Sequence, residues 1–194
     1  MIDLEQFQQE MDKMNEKLKE FDNADHKFVT VGIHEEAGMA SEGSITQAGL
    51  GATHHFGATI NHPGGVPYGY KSENDAKVGV VKFLKKGTGF MVLGKTEPHQ
   101  IKIPARPWLD VGVVAGVDKY VEAVEDVESI EEALEIIGIE ASASVKDYIR
   151  DLRTPPNAKS TIAKKKSSNP LIDTGEMLQS VDYTVTSERP EEGL

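Results

Sequence analysis

The 194-residue sequence contains no cysteine. Without thiols the chain has no disulfide framework, thiolate zinc site, iron–sulfur cluster or cysteine nucleophile, and its composition suits a reducing compartment. Aromatic residues are also few, at 6%, whereas glycine occurs 18 times. This balance is typical of a globular chain with a large share of loop, and the length suits one domain or one domain with an appended arm.

The sequence also lacks long apolar runs and a basic N-terminus. No apolar run approaches the length of about 18 residues that a membrane span requires. The first residues, MIDLEQFQQEMDKMNEK, carry acids where a signal peptide needs a basic region and an apolar core. We therefore expect a soluble protein that is not secreted by that route and does not contact a membrane.

Positive charge is in short supply, since 21 bases stand against 32 acids and the formal net charge is −11. Binding to nucleic acid phosphates depends on cations. The composition therefore argues against general coating of nucleic acid, and any contact with DNA must be local.

The first 22 residues predict an amphipathic helical arm. Apolar residues recur there at steps of three and four, which indicates a helix over 3–21 with one narrow apolar stripe. This stripe either packs on its own domain or forms a seam against a neighbouring subunit. The candidate interface residues are Leu4, Phe7, Met11, Met14, Leu18 and Phe21.

Alternating side chains predict the strands. Residues 27–33 (KFVTVGI) read as one strand, and residues 78–95 place two apolar runs around Lys-Lys-Gly-Thr-Gly, which predicts a hairpin. We expect two further strands over 101–103 and 181–185.

The glycine-rich part of the chain predicts little regular structure. A short helix is expected at about 45–56, and the Gly/Pro-rich excursion over 58–75 is expected to be loop or extended chain.

Three further helices follow from periodicity and caps. Pro107 suits the first position of a helix that continues to Val127. Ser129 with Glu132 has the spacing of a capping box before a helix over 130–152. Asp173 and Glu176 are expected to cap a short helix over 174–179.

Together these elements predict an α+β fold. It would hold a small antiparallel sheet of about four to five strands, packed by two long helices. The body would span 23–187, and 188–194 would be a mobile tail.

Motifs for catalysis, metal binding and cofactor binding are weak. Adjacent His54 and His55 point about 100° apart on a helix and do not ligate one metal from one face. GLGATHHFG lacks the rest of a phosphate loop, and no nucleophile elbow is present. We expect no metal, no cofactor and no enzymatic activity. The acids between Asp118 and Glu140 suit a solvated outer face, or alternatively an electrostatic partner surface.

A basic segment over 153–172 interrupts this acidic chain. Its contact candidates are Lys159, Lys164, Lys165 and Lys166. A plain solvated linker would explain the lysines alone. The flanking Thr-Pro-Pro-Asn and Asn-Pro-Leu-Ile-Asp-Thr-Gly are conformationally restricted, however, so we expect a short helix between them, with the lysines on one face, held at a fixed position.

These flanking motifs carry a resemblance to a known family. The chain resembles the tail-completion or neck proteins of long-tailed bacteriophages, also described as minor tail or virion-morphogenesis proteins. Weaker matches lie at 52–57 (ATHHFG) and 103–109 (IPARPWL). His55 stands where the family often has Glu, and Glu176 where a basic or amide residue is common. The motif residues are Thr154, Pro155, Pro156, Asn157, Asn169, Pro170, Leu171, Ile172, Asp173, Thr174 and Gly175.

The resemblance implies a structural virion protein that is not an enzyme. About six copies would form a ring around the DNA channel and join the tail to the DNA-filled head. The implied partners are copies of itself, the tail terminator and the head-completion (stopper) ring, with possible contact to packaged DNA. The protein would lie in the neck or tail of the virion, and in the host cytoplasm during assembly.

Two alternatives remain open at this point. The alternative within the virion is a tail terminator or another minor tail subunit. A different class is a DNA-binding module that uses residues 159–166.

Overall fold

The computed structural model describes residues 27–40, 45–85, 88–165 and 167–188. The helix predicted over 3–21, its six candidate interface residues, Lys166 and all of the predicted tail except Glu188 lie outside the described residues.

The described chain is a mixed α+β structure, which confirms the predicted fold class. All paired strands are antiparallel, and they are distributed over three small sheets. In chain order the elements are β1 (Phe28–Ile33), α1 (Gln47–Phe56), β2 (Ala58–His62), β3 (Pro67–Tyr70), α2 (Glu73–Lys77), β4 (Lys82–Phe83), β5 (Met91–Lys95), β6 (His99–Ile103), α3 (Leu109–Val114), α4 (Val117–Val124), α5 (Ile130–Asp151), α6 (Lys159–Lys165), α7 (Glu176–Gln179) and β7 (Val181–Thr186).

The chain divides into two compact units. Residues 57–104 form an inserted unit, and the residues on either side of it form the body. In the body, β1 and β7 pair from Phe28 with Thr186 to Ile33 with Val181. Helix α5 packs against this pair and against α3 and α4. The buried core members are Trp108, Val145, Ile149, Leu152, Leu171, Met177 and Val181.

Helix α5 begins and ends close to its predicted bounds. The hydroxyl of Ser129 accepts a hydrogen bond from the backbone N–H of Glu132 at 3.4 Å, so the predicted N-cap forms. Val145 and Ile149 are fully buried one turn apart and face the core. The helix ends at Asp151, four residues before Pro155.

The single helix predicted from Pro107 to Val127 is wrong, because the chain forms two short helices there, α3 and α4. Two side-chain hydroxyls donate hydrogen bonds to carbonyls at the end of α3. Tyr120 donates to the carbonyl of Val113 at 2.7 Å, and Ser144 donates to the carbonyl of Gly112 at 2.8 Å. A Cβ at Gly116 would lie 2.3 Å from the Tyr120 hydroxyl oxygen. The break therefore depends on a residue without a side chain at this corner.

The inserted unit contains two small sheets. β2 pairs with β6, from Ala58 with Ile103 to His62 with His99. The second sheet has the order β4-β3-β5. The excursion over 58–75 was expected to be loop or extended chain, and part of it forms strands β2 and β3. The hairpin predicted over 78–95 is wrong, since β4 and β5 each pair with β3.

The hairpin prediction fails because β3 lies between the two apolar runs. Gly69 in β3 allows this close pairing, since a Cβ there would lie 2.0 Å from the carbonyl oxygen of Met91. The local pattern identified apolar runs correctly but assigned them the wrong partners.

Gly138 provides a test of the packing between α5 and β7. Intrinsic helix propensity favours Ala over Gly by about 1 kcal/mol. A Cβ at position 138 would lie 2.1 Å from the ring of Tyr183, however, and such overpacking costs about 1–3 kcal/mol. We expect Gly138→Ala to lower the free energy of unfolding measured in urea.

The matched control is Ala143→Gly, at an exposed position of the same helix. Propensity alone predicts opposite signs for the two substitutions, whereas the observed contact predicts destabilisation by both. A stabilised Gly138→Ala protein would contradict the packing of Tyr183 on α5.

Candidate functional site

Asn169 connects the second sequence motif to the end of α5. Its side-chain amide donates to the carbonyls of Ile149 and Arg150, both at 2.9 Å. Its side-chain oxygen accepts from the backbone N–H groups of Leu171 at 2.8 Å and Ile172 at 3.0 Å. The residue is buried, and these four bonds use its full hydrogen-bonding capacity. The turn into Leu-Ile-Asp-Thr-Gly is therefore tied to the helix.

Arg106 connects the first motif to the same place. This side chain is only 2% exposed, and its Nε donates to the carbonyl of Pro155 at 2.8 Å. Its terminal nitrogen donates to the side-chain oxygen of Asn157 at 3.2 Å and to the carbonyl of Pro156 at 3.4 Å. Asn157 in turn donates to the carbonyl of Pro170 at 3.3 Å. The Thr154–Pro155 peptide bond is cis.

The two weaker motifs meet at the same arginine. Backbone N–H of Arg106 donates to the carbonyl of His54 at 2.9 Å, at the end of α1. The indole of Trp108 donates to the carbonyl of Gly51 at 3.0 Å. All four motif segments, 52–57, 103–109, 154–157 and 169–175, thus converge, and we call this convergence the motif junction. Segments more than 100 residues apart in sequence share one hydrogen-bonded block.

The basic segment forms α6, which confirms the short helix expected there. Lys159 and Lys164 are exposed. Lys165 is half-buried and donates to the carbonyl of Asn169 at 2.9 Å. Two of the candidate contact lysines therefore face solvent, the third holds the junction together, and Lys166 lies outside the described residues.

A cleft of about 350 Å³ opens beside the motif junction. Gln47 and His54 from α1 line one side, and Lys165 and Asp173 line the other. Gln47 is 3% exposed, and its amide nitrogen donates to the carboxylate of Glu176 at 3.2 Å. Its oxygen and the Nδ1 atom of His54 are buried and make no hydrogen bond with the part of the chain that the structure describes. Gln47 and His54 thus line the cleft with side chains that each hold one buried atom unpaired within the described ranges.

Positive charge surrounds the imidazole of His54. Burial lowers the pKa of His54, and the nearby charges of Arg106 and Lys165 lower it further. Burial also lowers the pKa of Lys165. The negative charge of Asp173 raises that pKa, whereas the positive charge of Arg106 lowers it further. Burial lowers the pKa of Arg106 as well, although a guanidinium stays charged at all ordinary pH. Burial and these two cations therefore all favour the neutral form of His54.

The predicted cap of the last helix is wrong in detail. α7 spans only four residues, and Gly175 with φ of 88° precedes it, without a side-chain cap. Thr174 supplies the local bond instead, since its hydroxyl accepts from the backbone N–H of Glu176 at 3.4 Å. Asp173 is exposed at the cleft and acts on Lys165 through charge.

His55 and Glu176, the two residues that differ from the pattern of the family the chain resembles, both make contacts in the body. His55 lies 3.7 Å from the carboxylate of Asp110 and accepts weakly from the backbone N–H of Leu109 at 3.5 Å. Glu176 accepts from Gln47, as described above. Both substitutions are therefore accommodated inside the body.

Arg106 was not among the predicted site residues, although it organises the junction. A signal was present, because an arginine between an alanine and a proline in the apolar run IPARPWL has no solvated helix face to occupy. Periodicity and charge counting do not detect such a residue, since its partners are backbone carbonyls about 50 residues away.

The described ranges contain neither a cluster of metal ligands nor a helix that could span a membrane. Residues 27–40, 45–85, 88–165 and 167–188 contain no group of three or more His, Asp or Glu placed to hold a metal ion. Within those ranges no helix is long and apolar enough to cross a membrane.

Comparison of the chain with protein-family models, curated proteins and solved structures found no match.

Asn169→Asp tests whether the amide holds the junction. The carboxylate has nearly the same shape, but it loses both donors and faces the carbonyls of Ile149 and Arg150. Leaving buried polar groups unpaired costs about 1–3 kcal/mol, and more for a charge. We expect a loss of at least about 3 kcal/mol in the free energy of unfolding, or failure to fold. Gln179→Glu makes the same chemical change at an exposed position of α7 and should stay within about 0.5 kcal/mol. Equal effects of the two substitutions would refute the role of Asn169.

The environment of His54 predicts a loss of stability in mild acid. Unfolded histidine has an ordinary pKa of about 6.5, and the folded pKa is lower. The unfolded chain therefore binds the proton first, and stability falls as the pH drops below that value. We expect His54→Gln to lose less stability than the unmodified protein between about pH 7.5 and pH 5.5, as measured by urea titrations at each pH. An unchanged dependence of stability on pH in His54→Gln would contradict this role of His54.

Proposed function

We propose that this chain is a tail-completion or neck protein of a long-tailed bacteriophage, which joins the completed tail to the DNA-filled head as part of a ring around the DNA channel. The proposal assigns it a structural role in the virion and partners among the tail terminator, the stopper ring and copies of itself.

The observation that carries the proposal is the motif junction. The resemblance rests on four short segments that are scattered between residues 52 and 175. Arg106 and Asn157 link these segments, because Arg106 donates to His54, Pro155 and Asn157, and Asn157 donates to Pro170. A chance similarity of short motifs has no reason to place all of them at one site. Their convergence therefore supports a shared fold, from which the function is inferred.

The lysines of α6 have a defined place in this proposal. Because Lys165 is engaged with the carbonyl of Asn169, the helix presents Lys159 and Lys164 from a fixed base. Two exposed cations suit a limited contact with packaged DNA or an acidic neighbour. They give less support to an independent DNA-binding module, because affinity for duplex DNA grows with the number of phosphates neutralised.

The decisive experiment removes the gene from the phage genome and restores it from a plasmid. We expect particles without the protein to accumulate as filled heads and complete tails of normal length that do not join. Plasmid-borne unmodified protein and Gln179→Glu should restore infectious particles, whereas Asn169→Asp should not. Negative-stain microscopy and plaque counts report the two outcomes.

Two other results would redirect or refute the proposal. Tails of uncontrolled length would favour the tail-terminator role, because a tube without its terminator has no defined end. Normal infectious virions made without the protein would refute a structural role in joining.

A further inference from the structure

The inserted unit exposes an apolar sheet surface. Residues 57–104 contain only two buried members among those described, Gly69 and Leu84. The register pairs Tyr68 with Phe83 and Tyr70 with Met91, and alternate residues of β3 share a face, so Phe83 and Met91 lie on the same side of the sheet. Phe83 is 71% exposed and Met91 48%. Phe90, which precedes β5, is exposed next to Met91, and we call Phe83, Phe90 and Met91 the apolar sheet surface.

The body exposes a second apolar surface of a different shape. Val111 and Val114, three residues apart, share a face of α3, and Val117 and Val121, four residues apart, share a face of α4; all four are exposed. Val114 is 70% exposed and Val121 64%. We call these four residues the valine stripe. A protein that stays monomeric rarely exposes two such surfaces, because contiguous apolar patches mark interaction sites.

The two surfaces carry opposite charge. Residues 57–104 contain seven lysines and three acids, a net charge of +4, so the rest of the chain carries −15 of the total of −11. Around the valine stripe, residues 110–126 contain five acids and one lysine. The apolar sheet surface thus belongs to a basic stretch of an acidic protein, and the valine stripe lies in an acidic stretch.

Unpaired charges lie next to both surfaces. Lys85 follows β4 and Lys95 ends β5; both are exposed, and neither makes an ion pair within the described ranges. Asp118 and Glu122, one turn apart on α4, are likewise exposed and without an ion pair there. Charges of opposite sign around apolar centres are the arrangement of complementary interfaces, where the apolar centre supplies affinity and the charged rim selects the partner.

We propose that the apolar sheet surface of one copy docks on the valine stripe of a second copy. The contact is head-to-tail, since each chain contributes a different surface to its two neighbours. Such a contact repeats from copy to copy and closes into a ring if the rotation between copies permits. This inference adds two contact surfaces to the ring that the proposed function includes. It concerns the purified protein, so the joining role and this contact can each fail while the other holds.

Complementation between two defective variants tests the proposal. Phe83→Ser/Met91→Ser disables the sheet surface, and Val114→Ser/Val121→Ser disables the valine stripe. We expect the unmodified protein to associate in a concentration-dependent way in sedimentation velocity and native mass spectrometry, and each variant alone to lose at least about tenfold in affinity. An equal mixture of the two variants should form a dimer with one copy of each, because only one productive contact remains.

Controls separate this contact from general effects. Ile139→Ser removes an apolar residue of α5 that is 50% exposed and outside both surfaces, and it should associate normally. Circular dichroism and melting curves establish that every variant folds. Association should weaken as salt rises, because the charged rims are screened.

Three results would overturn the proposal. One is a monomeric unmodified protein at every attainable concentration. Another is a mixture of the two folded variants that does not associate. The third is binding of duplex DNA by a monomeric protein that is lost in Lys85→Ala/Lys95→Ala, which would assign the basic surface to nucleic acid instead.

Discussion

The fold of the body depends on how one buried amide is satisfied. Asn169 holds two of the last carbonyls of α5 with its donors and the following turn with its acceptor, and all four bonds are buried or partly buried. Arg106 and Asn157 extend the same principle to the proline-rich segment, whose prolines have carbonyls but no N–H groups. Side chains here therefore satisfy backbone N–H and C=O groups that helices and sheets satisfy elsewhere.

The sequence predicted the helices and strands better than it predicted which strands pair with each other. Local signals found β1, β7, α5 with its Ser129 cap and the short helix α6, because caps and periodicity act within a few residues. It did not predict that β3 separates β4 from β5, since strand pairing depends on distant chain. The site shows the same division. The motif segments were recognised, but the buried role of Lys165 and the importance of Arg106 came only from their contacts with carbonyls far along the chain.

Charge and apolar exposure are divided between the two units of the chain. The body has a continuous core and most of the negative charge, whereas the inserted unit is basic and buries few side chains. A unit of this size with so little interior gains limited stability from its own hydrophobic contacts. So small an interior is typical of chains that bury the rest of their apolar surface on assembly. It agrees with the ring role proposed above.

The pairing of β1 with β7 also has a consequence for how the protein is made. These strands join residues more than 140 positions apart, from Ile33 with Val181 to Phe28 with Thr186. During synthesis β1 lacks β7 until more than 140 further residues have been made, and closing so long a loop is entropically slow. A product that stops before Val181 would lack the strand that pairs with β1 and packs on α5, so we expect it to remain a target for proteolysis.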